Sequence, residues 1–366
     1  MSPWLGEQER SAAARVIDRG WLTEGEEARE FACSLNRLIG SEFGVFAPNG
    51  TLALALGLMA LGIGPGDEVL VPNITFVGSA TAAVMLGAVP VFVDVDRESF
   101  QIDLTQAARF LTSRTRAIMP VHLYGASCDM EAIMEFSAQH GLKVIEDAAQ
   151  GIGVRFRGQH VGSFGDVGCF SFFADKTITT GEGGYVVCRD PAVHERLLYL
   201  RNQGRIDRGS FVHPEIGFNF RITDIQAAIG LAQLQRLDEI VERKQNIDAL
   251  YRNNLAGVDS LRILGGGFAS TYVPFRCVIL AERCAELAEF LESAGIQTRQ
   301  FFFPLHRQPC FESGSRDGQH VSSFGDADYP NAMYGHAHGI CLPLFPTLQS
   351  ADVTYVTDTI ASFYQR

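Results

Sequence analysis

The stretch SFFADKTITTGEGGYVVC, residues 171–188, sets a single lysine, Lys176, between an aromatic strand end and a glycine-rich turn that carries Glu182. A solvated lysine belongs among other charges on a polar face. This one follows Phe170, Phe172, Phe173 and Ala174 and precedes a threonine-rich run. An amine enclosed by small and apolar groups is pushed toward its uncharged form, the form that attacks a carbonyl. The plainer reading is a hairpin whose lysine caps a strand end. Four other places carry chemistry of a matching kind. In APNGTLALALGLMALGIGPGDE, Gly50 and Thr51 open an apolar helix. Its unpaired first N–H groups and its dipole favour an anion, although the same residues suit an ordinary N-cap. In VPNITFVGSA, Phe76 follows a strand and can stack on a flat ring or join the core. In LKVIEDAAQG, Asp147 ends a strand, where ligands of α/β sheets gather. A buried carboxylate there requires a partner, and a protonated ring nitrogen would serve; a helix N-cap is the alternative. In IGFNFRITD, Asn219 and Arg221 stand just before a helix with polar groups ready to meet an anion.

A phosphate seat, an aromatic plate, a strand-end aspartate and a lysine about thirty residues further on fit one cofactor together. Pyridoxal 5'-phosphate has a phosphate, a flat ring, a ring nitrogen that works when protonated, and an aldehyde that condenses with a lysine amine.

The elements that must position these residues are short apolar runs alternating with helix-like segments. The runs are EVLVP (68–72), VPVFVDV (89–95), AIMPV (117–121), LKVIED (142–147), VGCFSF (167–172) and YVVC (185–188). Bounded by Gly, Pro and Asp, they predict a mostly parallel sheet covered by helices on both faces, an α/β fold. Next, ITDIQAAIGLAQLQRLDEIVERKQNIDALY reads as one long helix, with Thr223 and Gln226 at capping-box spacing. It links a large domain, residues 1–250, to a smaller C-terminal α/β domain, residues 251–366. The smaller one holds YVPFRCVIL (272–280), a helix over CAELAEFLESAG (284–295) and a final helix from about 350. The polar stretch 312–328 reads as a mobile loop.

Composition narrows the class. A net charge of −12 argues against a nucleic-acid surface, which carries a basic excess. The eight cysteines show no C-x-x-C spacing, which favours reduced thiols over a disulfide framework or zinc site. No signal peptide or membrane-spanning run is evident, so the cytoplasm is expected. His336 and His338 have metal-like spacing for a strand but no further ligands, and read as surface or loop.

The chain resembles the DegT/DnrJ/EryC1/StrS sugar aminotransferases, a branch of the fold-type-I pyridoxal phosphate enzymes. The resemblance rests on NGTLAL, PNITFVGSATAAVMLGAVPVFVDVD, IEDAAQGIGVRFRGQHVGSFGDVGCFSFF, DKTITTGEGG, GFNFRITDIQAAIGLAQLQRLDE and RQFFFPLH, in family order over nearly the whole chain. It implies that Lys176 is the Schiff-base lysine, Asp147 the partner of the ring nitrogen, Phe76 the stacking aromatic and Gln150 the polar residue beside the ring. Gly50, Thr51 and Ser171 would bind the phosphate. Asn219 would reach the phosphate of the partner subunit's cofactor, which implies a homodimer with shared active sites. Thr23, in GWLTEG, and Phe302 and His306, in RQFFFPLH, would lie on the substrate side. L-glutamate would donate the amine to a nucleotide-linked 4-keto-6-deoxyhexose. VHLYGASCDM, FNFRITDIQAAIGLAQL and FFFPLHRQP resemble the subgroup of GDP-perosamine synthases. That subgroup tends to carry a glutamate where this chain has Gln150 and an asparagine where it has Asp175. A cyclitol ketone or a differently placed sugar ketone is the alternative acceptor. A pyridoxal-phosphate-binding regulator is a remote one, opposed by the net charge and the lack of a spare basic domain.

Overall fold

A computed structural model describes residues 3–205, 209, 211–311 and 325–365. The main sheet takes strands β1 (Phe43–Ala47), β2 (Glu68–Pro72), β3 (Val89–Val93), β4 (Thr115–Ile118) and β5 (Lys143–Asp147). A small hairpin, β6 (Arg155–Phe156) and β7 (Gln159–His160), stands apart, and β8 (Val167–Ser171) and β9 (Gly184–Cys188) complete the main sheet. Its order is β1-β9-β8-β5-β4-β2-β3. The five strands from β8 to β3 are parallel, whereas β9 runs antiparallel to both β8 and β1. The expected runs therefore form the strands, with trimmed ends. AIMPV stops at Ile118, just short of Pro120, which has no N–H for the ladder. The edge strand Phe43–Ala47 has no alternation to single it out from sequence.

Parallel strands need cover on both faces, and the residues of β2, β8 and β9 are buried throughout. The helix Gly50–Ala60 lies against β8 and β9 and is built from LALALGLMA, apolar all round, so almost every side chain in it is enclosed. The helices Glu7–Arg19 and Glu26–Ile39 pack against the helix Asp224–Gln235. Buried Asp224 accepts hydrogen bonds from the N–H groups of Gly25 (2.7 Å) and Ala28 (3.1 Å) and so caps the second of them from across the chain.

The long helix expected from Thr223 onward is two. The capping box forms as expected at Thr223 and Gln226, but the first helix ends at Gln235 and a second runs Leu237–Leu255. At the junction Arg236 leaves helical geometry (φ −106°, ψ 7°), and its guanidinium bonds Glu9 at 3.2 Å and lies 3.8 Å from the centre of the Trp4 ring. The anchoring of Arg236 to the N-terminal segment fixes the bend, a tertiary effect that helical periodicity does not carry.

The second helix leads into a smaller antiparallel sheet of β10 (Leu261–Ile263), β11 (Cys277–Ala281), β12 (Arg299–Gln300) and β13 (Gly339–Leu342), in the order β10-β11-β13-β12. Its own core joins Ile247, Tyr251 and Leu255 to Leu287, Leu291, Val353 and Ile360 from the helices Cys284–Ser293 and Ser350–Tyr364. Of YVPFRCVIL, only the half from Cys277 is strand. The half before it leaves the sheet because the N–H of Phe275 bonds the carbonyl of Tyr124 in the large layer (3.0 Å), which carries Phe275 and Arg276 toward the end of β5. The loop expected over 312–328 falls mainly on residues 312–324, outside the described ones; Asp326–Asp328 form a turn of 3-10 helix.

Candidate active site

Between the carboxyl ends of β5 and β8 and the small sheet lies a cavity of about 660 Å³. Gly50, Thr51, Phe76, Asp147, Gln150, Ser171, Lys176 and Phe302 all line it, so residues far apart in the sequence meet at one place. Three expected residues do not line it. Thr23 is exposed near the N-terminal helices. Asn219 is exposed on the segment before the helix Asp224–Gln235, where its Oδ1 accepts a hydrogen bond from Arg221 Nε at 2.7 Å. His306 is enclosed outside the cavity: Nδ1 meets Asn73 Nδ2 at 2.7 Å, Nε2 meets Asp326 Oδ1 at 3.0 Å, and its ring lies 4.5 Å from that of Tyr329. Both ring nitrogens are engaged, which is the arrangement of a histidine that ties loops together. His336 and His338 sit on the helix Pro330–His338, not on a strand, so two residues apart they point in different directions. Among the described residues no cluster of metal ligands is present.

The anion seat is the start of the helix Gly50–Ala60. Asn49 is the N-cap, its Oδ1 accepting from Leu52 N–H at 3.0 Å, and no acidic residue occupies the first turn. Gly50 and Thr51, whose N–H groups precede that bond, line the cavity at the positive end of the helix dipole. Close approach explains the glycines here. A Cβ on Gly50 would lie 2.8 Å from Ser171 Cβ, and one on Gly78 would lie 2.7 Å from Thr51 Oγ1, so either would close the cradle.

Opposite the seat, Asp147 ends β5 with its carboxylate turned to the cavity. Ser79 Oγ donates to Oδ2 at 2.7 Å and the N–H of Ala149 donates to Oδ1 at 3.1 Å. Each oxygen keeps an unused lone pair in a buried place, a poor arrangement unless a donor arrives. Gln150 is held by the N–H of Tyr124, which donates to its Oε1 at 2.6 Å. Phe76 is 57% exposed and faces the cavity, which decides against a core role.

Lys176 stands on the loop after β8, its N–H bonded to the Phe173 carbonyl at 2.9 Å. Its Nζ lies 4.8 Å from the centre of the Phe275 ring. Burial pulls its ammonium below the ordinary lysine range; Asp175 and Asp147 oppose that pull and Arg276 adds to it. Near the same ring, its Nζ 5.6 Å from the Phe275 centre, Lys244 is buried and donates to Thr177 Oγ1 at 3.1 Å. Burial, helped by the positive charge of Arg276, brings the Lys244 ammonium down to about 7.

This geometry agrees with what sequence comparison finds. Residues 3–361 match the DegT/DnrJ/EryC1/StrS aminotransferase family. The chain belongs to that family. It is 36% identical over 364 residues to the GDP-perosamine synthase of Escherichia coli O157:H7, covering 99% of this chain and 97% of that one. It is likewise 36% identical to the GDP-perosamine synthase of Vibrio cholerae, covering 99% and 98%. Among solved structures, S. venezuelae DesV in complex with a ketimine intermediate superposes with a TM-score of 0.90 at 33% identity, covering 98% of this chain and 94% of that one. As a member of this family the protein is an aminotransferase and uses pyridoxal phosphate.

The residues present fit that group. The helix start offers N–H donors for a phosphate, Asp147 offers an open carboxylate for a ring N–H, and an amine whose ammonium form burial disfavours lines the same cavity, which is large enough for cofactor and substrate together. Sequence reasoning missed Ser79, Tyr124, Phe275, Arg276 and Arg299, all of which line the cavity. Ser79 was within reach of it, three residues after Phe76 in the same VPNITFVGSA stretch. Phe275 and Arg276 were hidden inside a run that reads as strand.

Proposed function

We propose that the protein transfers an amino group from L-glutamate to the C4 ketone of a nucleotide-linked 4-keto-6-deoxyhexose, in the manner of a GDP-perosamine synthase. The convergence of Asp147, Lys176 and the helix start at Gly50 on one cavity carries the reading, and the full-length likeness to two GDP-perosamine synthases supports the acceptor.

Bound there, pyridoxal phosphate supplies an aldehyde for the amine and a ring that accepts electrons. The chain supplies the rest. The N–H groups of Gly50 and Thr51, with the Ser171 hydroxyl, would hold the phosphate. Phe76 would cover the ring and Gln150 would flank it. Asp147 would set its carboxylate beside the ring nitrogen and so favour the protonated form of that nitrogen. Lys176 Nζ, whose ammonium burial makes easier to deprotonate, would serve first as the nucleophile toward that aldehyde. Displaced by the donor's amine, it would take the proton from the donor's Cα and deliver it to the former aldehyde carbon, on the other side of the nitrogen that joins the two. The donor leaves as its keto acid before the acceptor sugar takes up the amino group, so the kinetics should be ping-pong.

Asn219 stands exposed on a segment with Phe211, Val212, Ile216 and Phe218, all exposed apolar side chains. A partner subunit covering that face would bury them and bring Asn219 to the neighbour's cavity; we therefore read the assembly as a homodimer. On the substrate side, Phe302 lines the cavity, whereas Thr23 and His306 lie outside it and would meet the substrate only beyond its walls. The division into a cofactor-binding part, residues 1–250, and a small C-terminal part, residues 251–366, is read in the same way. No helix among the described residues is long and apolar enough to cross a membrane, in keeping with a cytoplasmic enzyme.

Purified protein loaded with pyridoxal phosphate and L-glutamate should aminate GDP-4-keto-6-deoxymannose, detected by mass spectrometry of the sugar product. Amination of dTDP-4-keto-6-deoxyglucose instead would move the nucleotide assignment. Amination of neither, with glutamate still consumed in the half-reaction, would contradict the acceptor and turn attention to cyclitol ketones.

A further inference from the structure

Beside Lys176 stands a charged group that the chemistry above does not use. Arg276 Nη2 donates to Asp175 Oδ2 at 2.5 Å, and Arg299 Nη1 approaches the same oxygen at 3.7 Å. All three line the active-site cavity together with Lys176. The Arg276 side chain is 6% exposed and that of Asp175 17%, so this is an ion pair held largely away from water. The Arg299 side chain is 58% exposed at the mouth and makes no hydrogen bond among the described residues. Two guanidinium groups against one carboxylate leave one positive charge in excess, aimed into the cavity.

A guanidinium pair with a carboxylate already docked on it is a seat for carboxylates. Its position says which one. Arg276 lies 4.5 Å from the centre of the Phe275 ring, the same ring that carries Lys176 Nζ at 4.8 Å. The anion it receives must therefore be close to the reacting atoms. In an amino acid the carboxylate is bonded to the very carbon that loses its proton, whereas the diphosphate of a nucleotide sugar is separated from a C4 ketone by the width of the hexose. The cofactor phosphate has its own seat at the start of the helix Gly50–Ala60. On the reading of the protein as an aminotransferase, we propose that Arg276 and Arg299 receive the α-carboxylate of the amino donor, and that Asp175 occupies this seat until the donor displaces it. The exchange couples arrival of the donor to Lys176, because Asp175 favours the ammonium form of that lysine and Arg276 disfavours it. Asp175 held by Arg276 gives the ammonium form of Lys176 less support. Asp175 released leaves it better able to hold a proton.

The test uses the cofactor-loaded protein and two unreactive probes, glutarate and GDP, with binding measured by calorimetry. Loss of one charged hydrogen-bond partner should weaken glutarate by about tenfold in Arg299→Gln, a change at an exposed position that leaves folding intact. Asp175→Asn removes the internal competitor's charge and should tighten glutarate several-fold. GDP affinity should stay the same in both variants. Glutarate binding that ignores Arg299→Gln, absence of glutarate binding by the unaltered protein, or a loss confined to GDP would each overturn the seat while leaving the aminotransferase reading in place. A protein that takes up no pyridoxal phosphate would overturn that reading, and the seat with it.

Discussion

Glu146 and Asp147 are neighbours on β5 and face opposite ways, and their surroundings differ in kind. Glu146, fully buried, accepts the N–H groups of Gly162 (2.6 Å), Phe164 (2.7 Å) and Gly165 (2.8 Å) and meets His122 Nε2 at 3.0 Å. Asp147 has two donors, and the rest of its carboxylate looks into the cavity. The same contrast separates the two lysines near Phe275. Lys244 is closed in and bonded to Thr177, whereas no hydrogen bond to Lys176 Nζ forms among the described residues and it lines the cavity. In each pair one group is saturated by the fold and holds loops in place, and the other is kept short of partners where a ligand can enter. Burial alone does not mark a reactive group; burial with unfilled bonding capacity does.

The contrast between the lysines should break most sharply at Lys176. Lys176→Ala is expected to lower transamination by about 10³-fold or more, because it removes the proton carrier outright. The variant's thermal unfolding should stay close to that of the unaltered protein; an active variant would refute the role. The carboxylates should split the other way. Asp147→Asn should cut turnover by on the order of a hundredfold, within the range of acid–base and electrostatic deletions, with little change in the unfolding midpoint. Glu146→Gln turns an amide NH2 toward backbone donors and should cost about 2–3 kcal/mol of stability by chemical denaturation, leaving the cofactor's spectrum alone. Equal effects of the two changes on activity would erase the distinction.

A smaller effect concerns Lys244. Its folded-state ammonium titrates at about 7, below the ordinary lysine value, so between there and about 10.4 the unfolded chain holds more protons than the folded one. Stability of the protein should therefore rise with pH across that window, by at most about 1.4 kcal/mol per unit from this group. Lys244→Met lacks the term. Its stability relative to the unaltered protein should be most favourable near pH 7 and decline toward pH 10, read from denaturant midpoints of the cofactor-free forms. A difference independent of pH would mean that Lys244 is not held under such strain.

Much of this site is legible in the amino-acid sequence because its residues sit where local rules speak. Gly50 opens an apolar helix, Asp147 closes a strand, and Lys176 stands in a stretch too apolar for a surface lysine. The parallel strands are legible for the same reason, since burial on both faces leaves runs such as EVLVP without polar alternation. What escapes is set by distant partners. The bend at Arg236 depends on Glu9 and Trp4, more than two hundred residues away. Phe275 leaves its strand for the carbonyl of Tyr124, and Arg276 follows it to Asp175. Local periodicity assigns both to a sheet. His306 shows the converse: its motif points to the substrate, while the fold gives both its nitrogens to Asn73 and Asp326.

The central claim is that Lys176, and not the more deeply buried Lys244, is the amine that meets the cofactor. Protein loaded with pyridoxal phosphate, reduced with borohydride and digested, gives that answer directly by mass spectrometry. The account predicts a pyridoxyl group on the peptide carrying Lys176 and none on the peptide carrying Lys244. A label on Lys244, or on neither, would contradict it.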